Sequence, residues 1–243
     1  MSGNNATIAA SSPAMPAPLA LSTGAVEAIK WFALVVMVLD HANKYLYAAL
    51  PFAFELGRLA LPLFSFALAY NLARPGVIEG EAGRRVIVRL ALFGAAATPA
   101  YMALGKLSWG WWPLNVMALF LVAAVVLRLV VQGGTTRRAM AAIVFVVAGS
   151  VVEFWWFGLG TIGAAWRYCK APTWKNAAIL AAALATLGLV NGNQWALAAL
   201  PVAALIARIK VEIPRTGRFF YWFYPLHLSA IVVLTIIPIT FTS

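Results

Sequence analysis

Charge is what this sequence has least of. Only 10% of its 243 residues are Asp, Glu, Lys or Arg, and 63% are hydrophobic. Mean hydropathy is +0.88, whereas a soluble domain carries about 25% charged residues. The deficit excludes a soluble catalytic domain and makes the lipid bilayer the expected solvent. Cysteine is nearly absent as well. The single Cys169 excludes an internal disulfide, and no Cys/His spacing resembles a zinc site, so no metal is expected. Cys169 itself reads as a small residue at the membrane edge. The first 25 residues hold neither Lys nor Arg nor a sustained apolar run. They therefore lack the basic and hydrophobic regions of a signal peptide. Residues 1–25 are expected to form a disordered cytoplasmic tail ahead of a single transmembrane bundle over 26–243. No strong internal repeat is visible, which argues against an inverted-repeat transporter.

The charge that is present has one dominant sign, with a net value of +11. The basic residues are scattered over short loops and form no stripe interleaved with aromatics, so no nucleic acid is expected as a partner. Positive-inside bias explains them better.

Apolar runs predict helices near 26–48, 50–70, 86–104, 113–131, 139–157, 159–168, 176–190, 195–209 and 219–239. A hydrocarbon core about 30 Å thick needs roughly 20 apolar residues per crossing. The fold class is thus an all-α polytopic membrane bundle of eight or nine transmembrane helices. The segment 159–168 decides the number, because Gly158, Gly160 and Gly163 weaken it and a re-entrant half-helix is the alternative.

Alternate loops carry the cations: Arg74, Arg84 and Arg85; Arg137 and Arg138; Arg167, Lys170 and Lys175; Lys210, Arg215 and Arg218. The intervening loops hold only Lys44, Lys106 or nothing. This pattern places the N-terminus inside and the C-terminus outside, a parity that needs nine crossings. Trp109, Trp111, Trp112, Trp155, Trp156 and Trp195 then mark the outer edge, and Trp31, Trp166 and Trp174 the inner.

In "MVLDHANKY", residues 37–45, an apolar helix acquires Asp40, His41 and Lys44. With the expected orientation these lie in the outer half of the first span. Glu55 and Arg58 descend from the outer edge of the second, Glu153 closes the fifth, and His227 follows Pro225 in the last. Ionisable groups in a bilayer cost at least about 2.5 kcal/mol each and face the bundle interior, so they are functional candidates by default. Neighbouring helical residues point about 100° apart, so Asp40 is better placed for Lys44 than for His41. Structural readings stand beside the functional one. Asp40 with Lys44 and Glu55 with Arg58 are possible ion pairs, His41 a hydrogen-bonded core imidazole, and His227 a partner for a helix kinked at Pro225. The loop "RPGVIEGEAGRRVIVRL", residues 74–90, offers Arg84, Arg85 and Arg89 either to phosphates or to topology alone. Asn115 either caps a helix or donates to a carbonyl oxygen.

The blocks "IKWFALVVMVLDHANKYL", "GRLALPLFSFALAYNLAR", "RRVIVRLALFG" and "YWFYPLHLSAI" occur in that order along the chain. Together they resemble the TraX family and the related conjugal-transfer protein TrbP, with Asp40, His41, Gly57, Arg58, Pro62, Pro225 and His227 at matching positions. Where members often carry an Asp-Tyr-Gly element, "VEFWWFGLG" offers Glu153. The resemblance implies a multi-pass protein of the bacterial inner (cytoplasmic) membrane that N-acetylates a conjugative pilin. Acetyl-CoA would be the acyl donor. It implies His41 as general base, Asp40 or Glu55 as its orienting group, Arg58 or Asn115 toward the oxyanion, and His227 in the same catalytic set. Arg84, Arg85 and Arg89 would meet the donor's phosphates. A non-catalytic pilus-assembly factor and a proton-coupled transporter are the rival readings.

Overall fold

The structure, a computed structural model, describes residues 16–47, 50–105, 107–210 and 212–236. Residues 1–15, where most of the expected tail falls, and Lys106 lie outside the described residues. From Pro16 the chain runs against the bundle. Leu19 N–H donates to the Cys169 carbonyl at 2.9 Å, and Tyr70 Oη accepts from Leu21 N–H at 3.0 Å while donating to the Leu21 carbonyl at 3.1 Å.

Helices make up the described fold, and no strand occurs among the described residues. Helix α1 spans Thr23–Ala42, so the boundary expected at residue 25 falls inside it. Ser22 caps it, its hydroxyl accepting from Ala25 N–H at 3.1 Å. A π-helical turn, Asn43–Tyr47, follows directly. The expected second span is two helices. Helix α2, Pro51–Gly57, starts on a proline with no donor to lose. Helix α3, Ala60–Ala73, resumes after a break at Arg58 and Leu59.

Helix α4 covers Glu81–Ala103. Helices α5 and α6 cover Val116–Gln132 and Thr135–Gly149. The segment expected to be short lies within α7, Trp155–Lys170, which runs unbroken through its glycines. Helix α8, Trp174–Thr186, continues into the short α9, Gly188–Asn191. Helix α10, Ala199–Arg208, follows a single 3₁₀ turn. Helix α11, Phe219–Ile236, passes through Pro225 without ending.

Among the described residues, four stretches are long and apolar enough to cross a membrane: Pro51–Ala73, Glu81–Ala103, Trp174–Asn191 and Phe219–Ile236. Val116–Gln132 and Trp195–Arg208 are shorter apolar helices. Helix α1 packs on α2, α3 and α10; α3 packs on α7, α5 on α4, α6 and α7, and α4 on α11. Ile29, Leu63, Leu119, Ile162 and Leu228 are fully buried at these seams. On α6, by contrast, Ile143, Val146 and Val147 are exposed, as lipid-facing side chains are. Lipid is as apolar as leucine, so helix association rests on close packing and buried polar contacts. One such contact joins α5 to the loop before α4. Arg128 donates to the carbonyls of Ile78 and Gly80 at 2.8 and 3.3 Å.

Candidate functional site

Asp40 and His41 are adjacent on α1, so their side chains leave the helix in different directions. Asp40 meets the break between α2 and α3. The Arg58 Nη2 group donates to both Asp40 carboxylate oxygens at 2.8 Å. Arg58 also donates from Nε to the Phe54 carbonyl at 3.1 Å and from Nη1 to Asn191 Oδ1 on α9 at 3.3 Å. Asp40 thus takes a partner from another helix, and Arg58 pairs with Asp40 instead of with Glu55. The carboxylate that takes the guanidinium comes from α1, and a single nitrogen, Nη2, serves both of its oxygens. Gly57 makes the approach possible. A Cβ there would collide with the Asp40 Cβ and lie 2.7 Å from its Oδ1.

His41 turns instead to α11. Its Nδ1 lies 2.8 Å from His227 Nε2, with the rings nearly parallel at 8° and their centroids 5.0 Å apart. His227 Nδ1 lies 3.1 Å from the Phe223 carbonyl. A carbonyl only accepts, so Nδ1 of a neutral His227 carries the proton and its Nε2 offers a lone pair. His41 Nδ1–H then donates to that lone pair, which leaves His41 Nε2 unprotonated. Phe223 stacks on His227 at 5.2 Å, and Tyr45 meets the edge of His41 at 6.0 Å. Both sequence candidates for proton chemistry therefore stand in one hydrogen-bonded chain.

Asp40, His41, Lys44 and Arg58 line a cavity of about 100 Å³, joined by Glu153 and Tyr101. Glu55, an orienting candidate by sequence, is not on that wall, and Glu153 supplies the second carboxylate. The chain reaches Glu153 through a strained turn. Phe154 and Trp155 hold φ values of 59° and 48°, a left-handed region that costs an aromatic residue roughly 1 to 2 kcal/mol. Two bonds fix the turn: Glu153 N–H to the Leu114 carbonyl at 2.8 Å and Leu114 N–H to the Val151 carbonyl at 2.7 Å.

Asn115 does not face this cavity's chemistry. Its Oδ1 caps α5 by accepting from Met117 N–H at 3.0 Å, and its amide donates to the Gly94 carbonyl and Thr98 Oγ1 at 3.0 and 3.1 Å. The helix-capping alternative is the one realised.

A second cavity, about 220 Å³, abuts the first. Lys30, Asn71 and Arg89 supply its polar side, and Phe220, Tyr221 and Phe223 its aromatic side. Met37, Phe64, Val116, Phe120 and Tyr224 line both cavities. Of the three arginines expected to hold phosphates, only Arg89 lines this cavity. Arg84 and Arg85 are exposed, and Arg84 pairs with Glu81 at 3.4 Å. Depth explains the difference: Arg85 shares a face of α4 with Arg89 but lies one turn, about 6 Å, nearer the helix start.

Lys30 was not singled out from sequence. It is ion-paired at 2.6 Å with Glu27, whose other oxygen accepts from Thr216 Oγ1 at 2.6 Å. Glu27 is only 5% exposed. Among the described residues no group of His, Cys, Asp and Glu is placed to hold a metal ion.

The profile of the family described as TraX protein matches residues 25–235. The chain belongs to the TraX family. It is 32% identical over 230 residues to a protein named Protein TraX from Escherichia coli, covering 90% of each chain. A second Protein TraX, from Escherichia coli strain K12, is 29% identical over 245 residues, covering 96% of each. No solved structure matches the chain. In this TraX-family chain the matched span takes in both cavities and both histidines. Sequence reasoning missed Asn191, Glu27 and Lys30. A signal existed for the last two, a carboxylate and an ammonium at i, i+3 inside an apolar run.

Proposed function

We propose that the chain is a membrane-bound N-acetyltransferase that moves the acetyl group of acetyl-CoA to the N-terminal amine of a conjugative pilin. The observation that carries the reading is the His227–His41 chain, which leaves one imidazole nitrogen unprotonated beside a cavity lined by Asp40, Lys44 and Arg58. His41 Nε2 takes the proton of the pilin amine as its nitrogen bonds to the acetyl carbonyl carbon. The carbon–sulfur bond breaks, and the departing thiolate takes that proton back from His41. The amide and the free thiol are the products. His227 holds the tautomer and stabilises the charged ring by accepting from its Nδ1–H.

Tyr101 and Lys44, both on the wall, are the groups we assign to the developing oxyanion. Arg58 is already engaged by Asp40, Phe54 and Asn191, so its part is to fix the α1–α2 junction. The Lys30–Arg89 cavity suits the donor. Two cations match its phosphates, and the aromatic wall matches its long, weakly polar arm.

The same reading places the chain in the bacterial inner membrane with nine crossings and the N-terminus inside. The donor would enter from the cytoplasm and the pilin amine from the outer face, the two cavities meeting between them. Intact mass of pilin from cells carrying wild type or His41→Ala tests it. Wild type is expected to add one acetyl mass and the variant none. An acetylated pilin with the variant removes His41 as base, and an unmodified pilin with wild type removes the acetylase reading.

A further inference from the structure

Resting on the acetyl-transfer reading, we infer that Phe64 and Phe120 select the length of the acyl group. The two cavities have five wall residues in common, three of them aromatic: Phe64 on α3, Phe120 on α5 and Tyr224 on α11. Phe64 and Phe120 are the two phenyl rings. Phe120 is 8% exposed, and Phe64 is held edge-on by Phe220 at 6.3 Å. A donor whose anionic end sits at Lys30 and Arg89 brings its thioester to this wall, with His41 on the other side.

Space beyond the wall is short. The cavity on the His41 side measures about 100 Å³ against about 220 Å³ on the donor side, so the acyl end has the smaller of the two spaces. The carbonyl, the acyl chain and the attacking amine have to share it. A longer acyl chain on that side meets the two rings. Packed aromatic rings do not yield by a methylene without displacing their neighbours. A pocket of this kind discriminates by roughly 10- to 200-fold per methylene.

The test uses full-length protein in liposomes with mature pilin as acceptor and equal acetyl-CoA and butyryl-CoA, the products being counted by intact mass. Wild type is expected to favour acetyl by about 100-fold or more, for two added methylenes. Phe64→Ala and Phe120→Ala are expected to raise the butyryl-to-acetyl ratio at least about tenfold. Each ratio is internal to one preparation, so partial loss of folded protein cancels. Phe64→Leu and Phe120→Leu, gentler changes, are expected to shift it in the same direction. An unchanged ratio in these variants, or a wild type that takes butyryl as readily as acetyl, overturns the selection role. Loss of all transfer in all of them assigns the rings to the reaction itself and overturns it too. Failure of wild type to transfer either group is a different result, and it removes the acetyltransferase reading on which the inference stands.

Discussion

Removing one partner of the Asp40–Arg58 pair should destabilise the bundle far more than removing both. The side chains are 11% and 15% exposed respectively, and the guanidinium meets both carboxylate oxygens at 2.8 Å. Taking away Arg58 leaves a largely buried carboxylate among Met37, Gly57 and Leu61, with Lys44 the cation that remains on that wall. Breaking a buried pair in this way costs about 3 to 5 kcal/mol, whereas exchanging the whole pair for apolar groups is often near neutral. Asp40→Ala and Arg58→Ala are therefore expected to lose about 3 kcal/mol or more each, and the double variant no more than either alone. The coupling in the cycle is then about 3 kcal/mol. Reversible unfolding in mixed micelles, followed by tryptophan fluorescence, measures all four proteins. Additive losses, with coupling below about 0.5 kcal/mol, would show that each side chain finds water or another partner. The reasoning from burial and geometry would then fail.

If His227 acts by orienting His41, His227→Asn should lower kcat by about 100-fold, the scale of a misplaced catalytic group, with KM for acetyl-CoA unchanged; a rise in KM alone contradicts this. Glu27→Gln removes the charge that holds Lys30 and Thr216, and KM for the donor should rise about tenfold, as for one charge-assisted hydrogen bond, at constant kcat. An effect confined to kcat would place Glu27 elsewhere in the reaction. Phe154→Gly should be more stable than Phe154→Ala by about 1 kcal/mol, because only glycine adopts that φ without strain; thermal unfolding in detergent compares them, and equal stability refutes the strain. Single cysteines at positions 109 and 174 replace tryptophans that are 82% and 93% exposed. A membrane-impermeant maleimide should label 109 from the outer face and 174 only after the membrane is opened. Labelling of both from one side would defeat the proposed orientation.

How much of this was legible from the sequence depended on the range of the interaction involved. The helices were legible because apolar length is a local property, and the fusion of short "GLGTIGAAW" into the continuous α7 was not, because glycine lowers local helix propensity and only the packing of α7 on its neighbours overrides it. The polar set was legible for a similar reason, since each charge stands out against its own apolar run. Partners were a different matter. Asp40 to Arg58 spans 18 residues and His41 to His227 spans 186, and the only pairings that spacing can suggest are the i, i+3 and i, i+4 ones. Arg84 and Arg85 looked equal to Arg89 because a loop charge and a cavity charge share the same letters. Phe64 and Phe120 gave no signal at all, as two phenylalanines among many apolar residues.

The adjacency of Asp40 and His41 has a structural consequence that neither residue has alone. A helix turns about 100° per residue, so two neighbouring polar groups cannot serve one partner without distortion, and here they do not. Asp40 fixes α1 to the junction of α2 and α3 and, through Arg58, to α9. His41 fixes the same turn of α1 to α11. The only Asp of the chain is therefore a brace, and the imidazole beside it inherits a defined position from that brace. A base must sit within hydrogen-bond reach of the proton it removes, and a side chain at the frayed end of a transmembrane helix would not. The π-helical turn that begins at Asn43 lies just beyond the brace. Loss of Asp40 should therefore impair His41 without any contact between the two.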